Sequence, residues 1–145
     1  MKISALFVAV LVAGSALAGP AFCDEPSPTV RGEEAAALAN TKWRAIEIDG
    51  EAAAGGVTST LQFQPGGDVN GNGGCNNFRG GVEIKGKTMK FGPLASTMMA
   101  CEDAKSKQEF RFHSALEKTA AFTVENGELH LIDAAGKTVV RLEKN

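Results

Sequence analysis

The sequence predicts a small, mostly antiparallel β fold: a curled sheet or open barrel of seven to eight strands with one packed α-helix, in a single α+β domain. Three observations carry that prediction. From Leu38 onward the apolar residues mostly alternate with polar ones, which is the period of half-buried strands. Glycine clusters and an Asn-Gly pair cut the alternation into short segments. One stretch alone, 103–118, has helical spacing. At 145 residues, 43% hydrophobic and 22% charged, the chain is one ordinary globular domain rather than a multidomain enzyme.

Each element follows from its own pattern. Trp43 to Ile48 reads as the first strand, and the differing parity of Trp43 and Ile46 predicts a bulge or burial on both faces. Leu61-Gln62-Phe63 alternates ahead of the Pro65-Gly66-Gly67 turn, and Val82 to Phe91 reads as a hairpin turning at Lys85-Gly86-Lys87. Between Asp103 and Lys118, Ala104, Gln108, Phe112, Ala115 and Leu116 fall on one helical stripe, with Asp103 as the expected N-cap. The clearest hairpin is 122–131, where Asn126-Gly127 suits the two positive-φ positions of a type I′ turn. That turn sets Val124 against Leu129 and Phe122 against Leu131, with Glu125, Glu128 and His130 on the opposite face. Asp133 to Gly136 then turns the chain into a last strand, Thr138 to Leu142.

The N-terminal segment reads as an address. Lys2 precedes seventeen uncharged residues, Ile3 to Gly19, with the apolar run Ala5 to Ala13 at their centre. This is the pattern of a secretory signal peptide. As a helix it would span about 25 Å, short of a hydrocarbon core of about 30 Å, and no stop-transfer charges follow. Cleavage is expected after Cys23, giving a signal peptide of residues 1–23, with cleavage after Ala18 as the alternative. Phe22 before Cys23 argues against a lipoprotein anchor. Removal of Cys23 leaves Cys75 and Cys101, an even count suited to an oxidising compartment. Residues 24–37 carry Pro26, Pro28 and four carboxylates with few large apolar side chains, so a flexible leader is expected there. The folded domain is then 38–145, periplasmic or secreted, with no membrane span once the signal is gone.

The residues that could carry chemistry do not assemble into a reactive set. Asp68-Val69-Asn70-Gly71-Asn72-Gly73 begins like a calcium loop, but its twelfth position is Arg79 instead of a bidentate carboxylate. A Gly/Asn turn and a tight strand start is the expected reading. The same glycines lack the Lys-Ser/Thr of a phosphate-binding loop. His113 and His130 lie in different elements and form no metal-ligand pair; Met89, Met98, Met99, the histidines and a thiolate could in principle bind copper, but methionines at such spacing are expected in the core. Cys75 shows no base and no electropositive setting that would activate it. No catalytic, cofactor or metal residue is therefore assigned. Fifteen basic against seventeen acidic residues, net charge −2, give no field to hold nucleic acid. A Cys75 to Cys101 bridge, if formed, would add about 3.5 kcal/mol by loop-closure entropy.

Four segments in fixed order carry a resemblance: Leu38-x-x-Thr41-x-Trp43, Gly71-x-x-Gly74-Cys75-Asn76-x-Phe78-x-Gly80, Ala95-Ser96-Thr97-Met98-Met99-Ala100-Cys101, and Glu109 with Leu116 ahead of Leu129-x-Leu131. Together they resemble the META-domain family, the HslJ-like heat-inducible proteins, over residues 38–145. The resemblance implies a small antiparallel β fold with one helix, an envelope location and an association with stress. It implies Cys75 and Cys101 as paired thiols, and Trp43, Gly74, Asn76, Phe78, Gly80, Thr97, Met99 and Glu109 as motif positions with a structural or interaction role. It implies no reaction. Met98 stands where many members carry arginine.

The expected function is that of a non-enzymatic envelope protein, monomeric, acting in stress tolerance through an envelope protein partner. The alternative is a carrier that holds a lipid or small apolar ligand inside the curled sheet. The candidate binding face is the Asn76-Asn77-Phe78-Arg79 segment with the Thr97-Met98-Met99 loop, which a Cys75 to Cys101 bridge would bring together.

Overall fold

The computed structural model describes residues 28–145. In chain order these are α1 (Pro28–Leu38), β1 (Lys42–Ile48), β2 (Glu51–Ala52), β3 (Thr60–Phe63), β4 (Asp68–Asn72), β5 (Asn77–Lys85), β6 (Thr88–Phe91), β7 (Ala95–Ser96), α2 (Asp103–Lys118), β8 (Thr119–Glu125), β9 (Glu128–Asp133) and β10 (Thr138–Lys144). Eight strands form a ring in the order β1, β3, β4, β5, β6, β8, β9, β10, and β10 pairs back onto β1. All pairings are antiparallel, and the closure removes the open edges that a flat sheet would expose. The two-residue strands β2 and β7 hang outside the ring on β1 and β5.

The alternation seen in the sequence becomes an inside and an outside. Trp43, Leu61, Phe63, Val69, Phe78, Met89, Leu129, Leu131 and Leu142 point inward and are buried. The hairpin 122–131 has the expected register, Phe122 opposite Leu131 and Val124 opposite Leu129. Asn126 and Gly127 both have positive φ, at 52° and 79°, as the tight turn requires. Val124 lies near the turn and is half exposed. The parity change in β1 is a register shift against β10 between Ala45 and Glu47, the expected bulge.

Helix α2 packs its stripe of Gln108, Phe112, Ala115 and Leu116 against β1, β6, β9 and β10. Asp103 is its first helical residue; the N-cap position belongs to Glu102, whose side chain makes no capping bond, so the expected Asp103 cap is corrected by one residue. The expected Gly/Asn turn at 68–73 is also displaced. Asp68–Asn72 is strand β4, paired on both sides, and the turn follows it at Gly73–Asn76. Helix α1 stands where a leader without regular structure is expected over 28–37. It packs on β5, with Leu38 buried and Glu34 ion-paired to Lys87 at 2.7 Å. The signal peptide, both cleavage points and Cys23 lie outside the described residues. No described helix is long and apolar enough to cross a membrane.

Side chains occupy the barrel interior. Leu61, Met89, Phe112, Leu116, Leu129, Leu131 and Leu142 are each 0% exposed, and they fill the space that the carrier reading reserves for an apolar ligand. The described hollows are instead external grooves over strands and turns.

Candidate functional site

Most of the motif residues converge where the β4–β5 turn meets α2. Glu109 sits on the second turn of α2 and projects its carboxylate over that turn. Its Oε2 accepts the backbone N–H of Cys75 at 3.0 Å and, at closer range, that of Asn76, while its Oε1 accepts the Asn76 carboxamide at 2.8 Å. Two successive backbone N–H groups on one carboxylate make a small anion-binding nest, filled here by the protein's own side chain.

Asn76 is the hinge pin of this arrangement. It is 6% exposed, and its Oδ1 accepts the Thr97 hydroxyl at 3.0 Å and the Met99 backbone N–H at 2.7 Å. A carboxamide is needed because one end must donate to Glu109 while the other accepts from the 97–101 loop. The same loop is tied covalently: Cys75 and Cys101 lie at disulfide-bonding distance, with Cα atoms 6.0 Å apart. Turn, loop and helix start are thus held together by one bridge and one hydrogen-bond network.

The glycines let these parts approach. A Cβ on Gly73 would lie 2.7 Å from Glu109 Cγ and 2.8 Å from His113 Nε2, and Gly74 has φ of +136° against the Lys105 carbonyl. Beneath the turn, Ser59 donates to the Gly73 carbonyl at 2.6 Å. Gln108 donates to Ser59 at 2.9 Å and accepts the Ala54 N–H at 2.7 Å. Phe78 packs its ring edge-on to His113, with centroids 5.1 Å apart.

The electrostatics follow from burial. Burial pushes the Glu109 carboxyl upward, but the bonds from Asn76 and Cys75, with the nearby His113, outweigh it and hold the group below the usual carboxylate range. His113 is pushed below the ordinary imidazole value by burial, against the pull of Glu109 and Glu117. Its Nε2 is buried with no hydrogen-bond partner.

The structure therefore brings together Gly74, Cys75, Asn76, Phe78, Thr97, Met99, Cys101 and Glu109. Trp43 and Gly80 act elsewhere: Trp43 Nε1 donates to Thr41 Oγ1 at 2.8 Å, and Gly80 makes room for Leu94 and Pro93. Of the four-residue candidate face, Asn77 and Arg79 are exposed; Phe78 is buried because alternate residues of β5 point inward, and Asn76 is buried in the turn before the strand. The soft donors do not meet, since Met89 is inside the barrel while Met98 is 98% exposed. Ser59 and Gln108 belong to the network, and His113 packs beside it, without having been singled out for it; a glutamine in an otherwise apolar helical stripe is the signal that marks such a buried bond.

A closed antiparallel barrel, braced by one helix and pinned by a bridged turn, defines the class: a small β-barrel module in which most of the motif residues hold the turn, the loop and the helix together. Residues 36–145 match the META domain, and the chain belongs to the META-domain family. Among solved structures it is similar to a protein from Burkholderia xenovorans, at TM-score 0.62 and 24% identity, covering 92% of this chain and 99% of that one. It is also similar to a second protein solved by NMR, at TM-score 0.61 and 17% identity over 75% of this chain and 92% of that one. A DUF4847-family protein from Bacteroides vulgatus matches at TM-score 0.57 and 15% identity, covering 74% and 94%. At these identities the likeness is one of fold. No curated protein matches.

Proposed function

We propose that this protein is an exported, non-enzymatic stress-tolerance factor that acts through a protein partner at the loop Thr97–Cys101. One observation carries the reading. The polar groups of the motif are spent on one another, whereas the side chains of Met98 and Met99, 98% and 59% exposed, stand outward on a loop fixed by the Cys101 bridge and by Asn76. A prefixed loop loses little conformational freedom on binding, and methionine adapts its shape to varied apolar surfaces. The signal-like segment 1–23 and the bridged cysteines support export.

The test is complementation. A deletion strain receives the wild-type gene or a Met98→Glu/Met99→Glu variant, whose exposed positions leave the fold intact. Wild type is expected to restore survival of heat and envelope-active drugs, and the variant to fail at equal abundance. Full complementation by the variant, or a deletion strain as tolerant as its parent, overturns the proposal. Intact mass of the exported protein, with and without reductant before alkylation, tests export: a chain starting at Asp24 with both thiols protected is expected.

A further inference from the structure

Strand pairing on the outer face places one residue from each of four adjacent strands in a straight row: Lys42 opposite Gln62, Gln62 opposite Asn70, and Asn70 opposite Arg79. The neighbouring row is Arg44, Thr60, Asn72 and Asn77, in the same order of strands. Their inward-pointing neighbours Trp43, Leu61, Val69 and Phe78 are buried, so both rows stand on the outside of the barrel. The second row is satisfied within the protein. Arg44 pairs with Glu143, Asn72 donates to Asn77 at 3.0 Å and accepts the Gly74 N–H at 2.8 Å, and Thr60 accepts the Asn72 N–H at 3.1 Å.

The first row is not. Among the described residues, the side chains of Lys42, Gln62, Asn70 and Arg79 make no hydrogen bond and no ion pair within the protein. Two cations therefore bracket two free carboxamides, across three strand spacings of together about 14 Å. Hollows of about 380 Å³ and 390 Å³ flank the row and meet at Asn70, Asn77 and Phe78, whose ring is buried. Asp68, two residues before Asn70 on β4, is the carboxylate in the adjoining groove and forms no ion pair with Arg79 among the described residues.

We propose that this row is a binding surface for an acidic polysaccharide whose charges are carboxylates. The chemistry selects that occupant. The end cations call for anions spaced along a chain, and Arg79 can take a carboxylate through two parallel N–H donors. The two carboxamides each offer both a donor and an acceptor, which hydroxyl-bearing sugars match and acceptor-only phosphates do not. Two free cations on a chain of net charge −2 are too few to hold a polyphosphate, and no aromatic ring stands in the row to stack bases. An apolar anchor of the kind that dominates protein interfaces is also absent from the row. This surface is independent of the Met98–Met99 loop and does not rest on it.

The experiment is calorimetric titration of the full exported chain with oligogalacturonate, beside dextran, poly-L-glutamate and double-stranded DNA at equal charge or mass. Oligogalacturonate is expected to bind, more weakly as salt rises, with dextran, polyglutamate and DNA each weaker by about tenfold or more. Lys42→Ala/Arg79→Ala and Gln62→Ala/Asn70→Ala are each expected to lower its affinity, the first by about tenfold or more, with unchanged urea midpoints. Absence of oligogalacturonate binding overturns the proposal. So does equal binding of polyglutamate or DNA, which reports charge alone, and so does wild-type affinity in either double variant.

Discussion

The carboxylate of Glu109 receives both nitrogen donors of Asn76, the backbone N–H on Oε2 and the carboxamide on Oε1 at 2.8 Å. This pair joins α2 to the β4–β5 turn, and through Asn76 Oδ1 it reaches Thr97 and Met99. Removing the carboxylate strands buried donors at Cys75 and Asn76, and hydrogen bonds to a charged group are worth about 1.5–3 kcal/mol each. Glu109→Ala should therefore lower unfolding stability by about 2–4 kcal/mol in urea titration. Glu109→Gln should cost less, because its oxygen still accepts from the backbone while its NH₂ group confronts the Asn76 donor. Equal stability of Glu109→Ala and wild type would refute the network.

Acid should weaken the fold in two steps with the same sign. The folded His113 value lies below its ordinary 6.5, so the unfolded chain binds the proton first, and stability falls as pH drops below 6.5 toward the folded value. The folded Glu109 value lies below its ordinary 4.5, so its contribution is whole above 4.5 and is lost as pH falls through the folded value. Melting temperature against pH should show both steps in wild type. His113→Gln should remove the upper step and keep the lower, and a variant that retained the upper one would reassign it.

The strand pattern was readable because each apolar side chain had a period to declare it. Leu61-Gln62-Phe63 and the 122–131 hairpin show the rule: alternation and an Asn-Gly turn set both the register and the buried face. Helix α1 was not readable, because Ala35 to Ala37 and two glutamates give it no apolar stripe, and it gains order by lying on β5. Barrel closure was half readable, since β10 meeting β1 is a contact between distant ends of the chain with no local signature. At the site, the residue types were legible and their roles were not. Glu109 lies 33 positions from Asn76, and only the fold shows that its carboxylate is spent on that turn. The free row from Lys42 to Arg79 was hidden for the same reason, because register across four strands exists only after folding.

The Cys75 to Cys101 bridge spans 26 residues, for which loop-closure entropy gives about 3.5 kcal/mol. The Asn76 bonds hold the same loop independently, so reduction should loosen the domain without unfolding it. Urea unfolding with and without reductant should show a fall of about 2–4 kcal/mol, matched by Cys75→Ser/Cys101→Ser. Reductant should leave the double variant unchanged, and any further fall there would place the effect outside this bridge.

The ring has one weak seam. Strand β8 pairs with β9 through six residue pairs but with β6 through one, Thr88 opposite Ala121, reinforced by the Phe122 N–H on the Lys87 carbonyl at 3.0 Å. The register explains this: beyond Thr88 the chain turns back into β5 at Gly86, so β8 outruns its neighbour, while in the other direction β8 begins at Thr119, directly after α2, with a register shift against β9 between Thr119 and Ala121. Opening there breaks few bonds and leaves the β8–β9–β10–β1 ladder whole, so it should precede global unfolding. Native-state hydrogen exchange should find the Phe122 amide exchanging faster than the amides of β9, which is paired on both sides, by about tenfold or more, or about 1.4 kcal/mol. Exchange of Phe122 as slow as that of β9, with the same denaturant dependence, would mean that the barrel opens only as a unit.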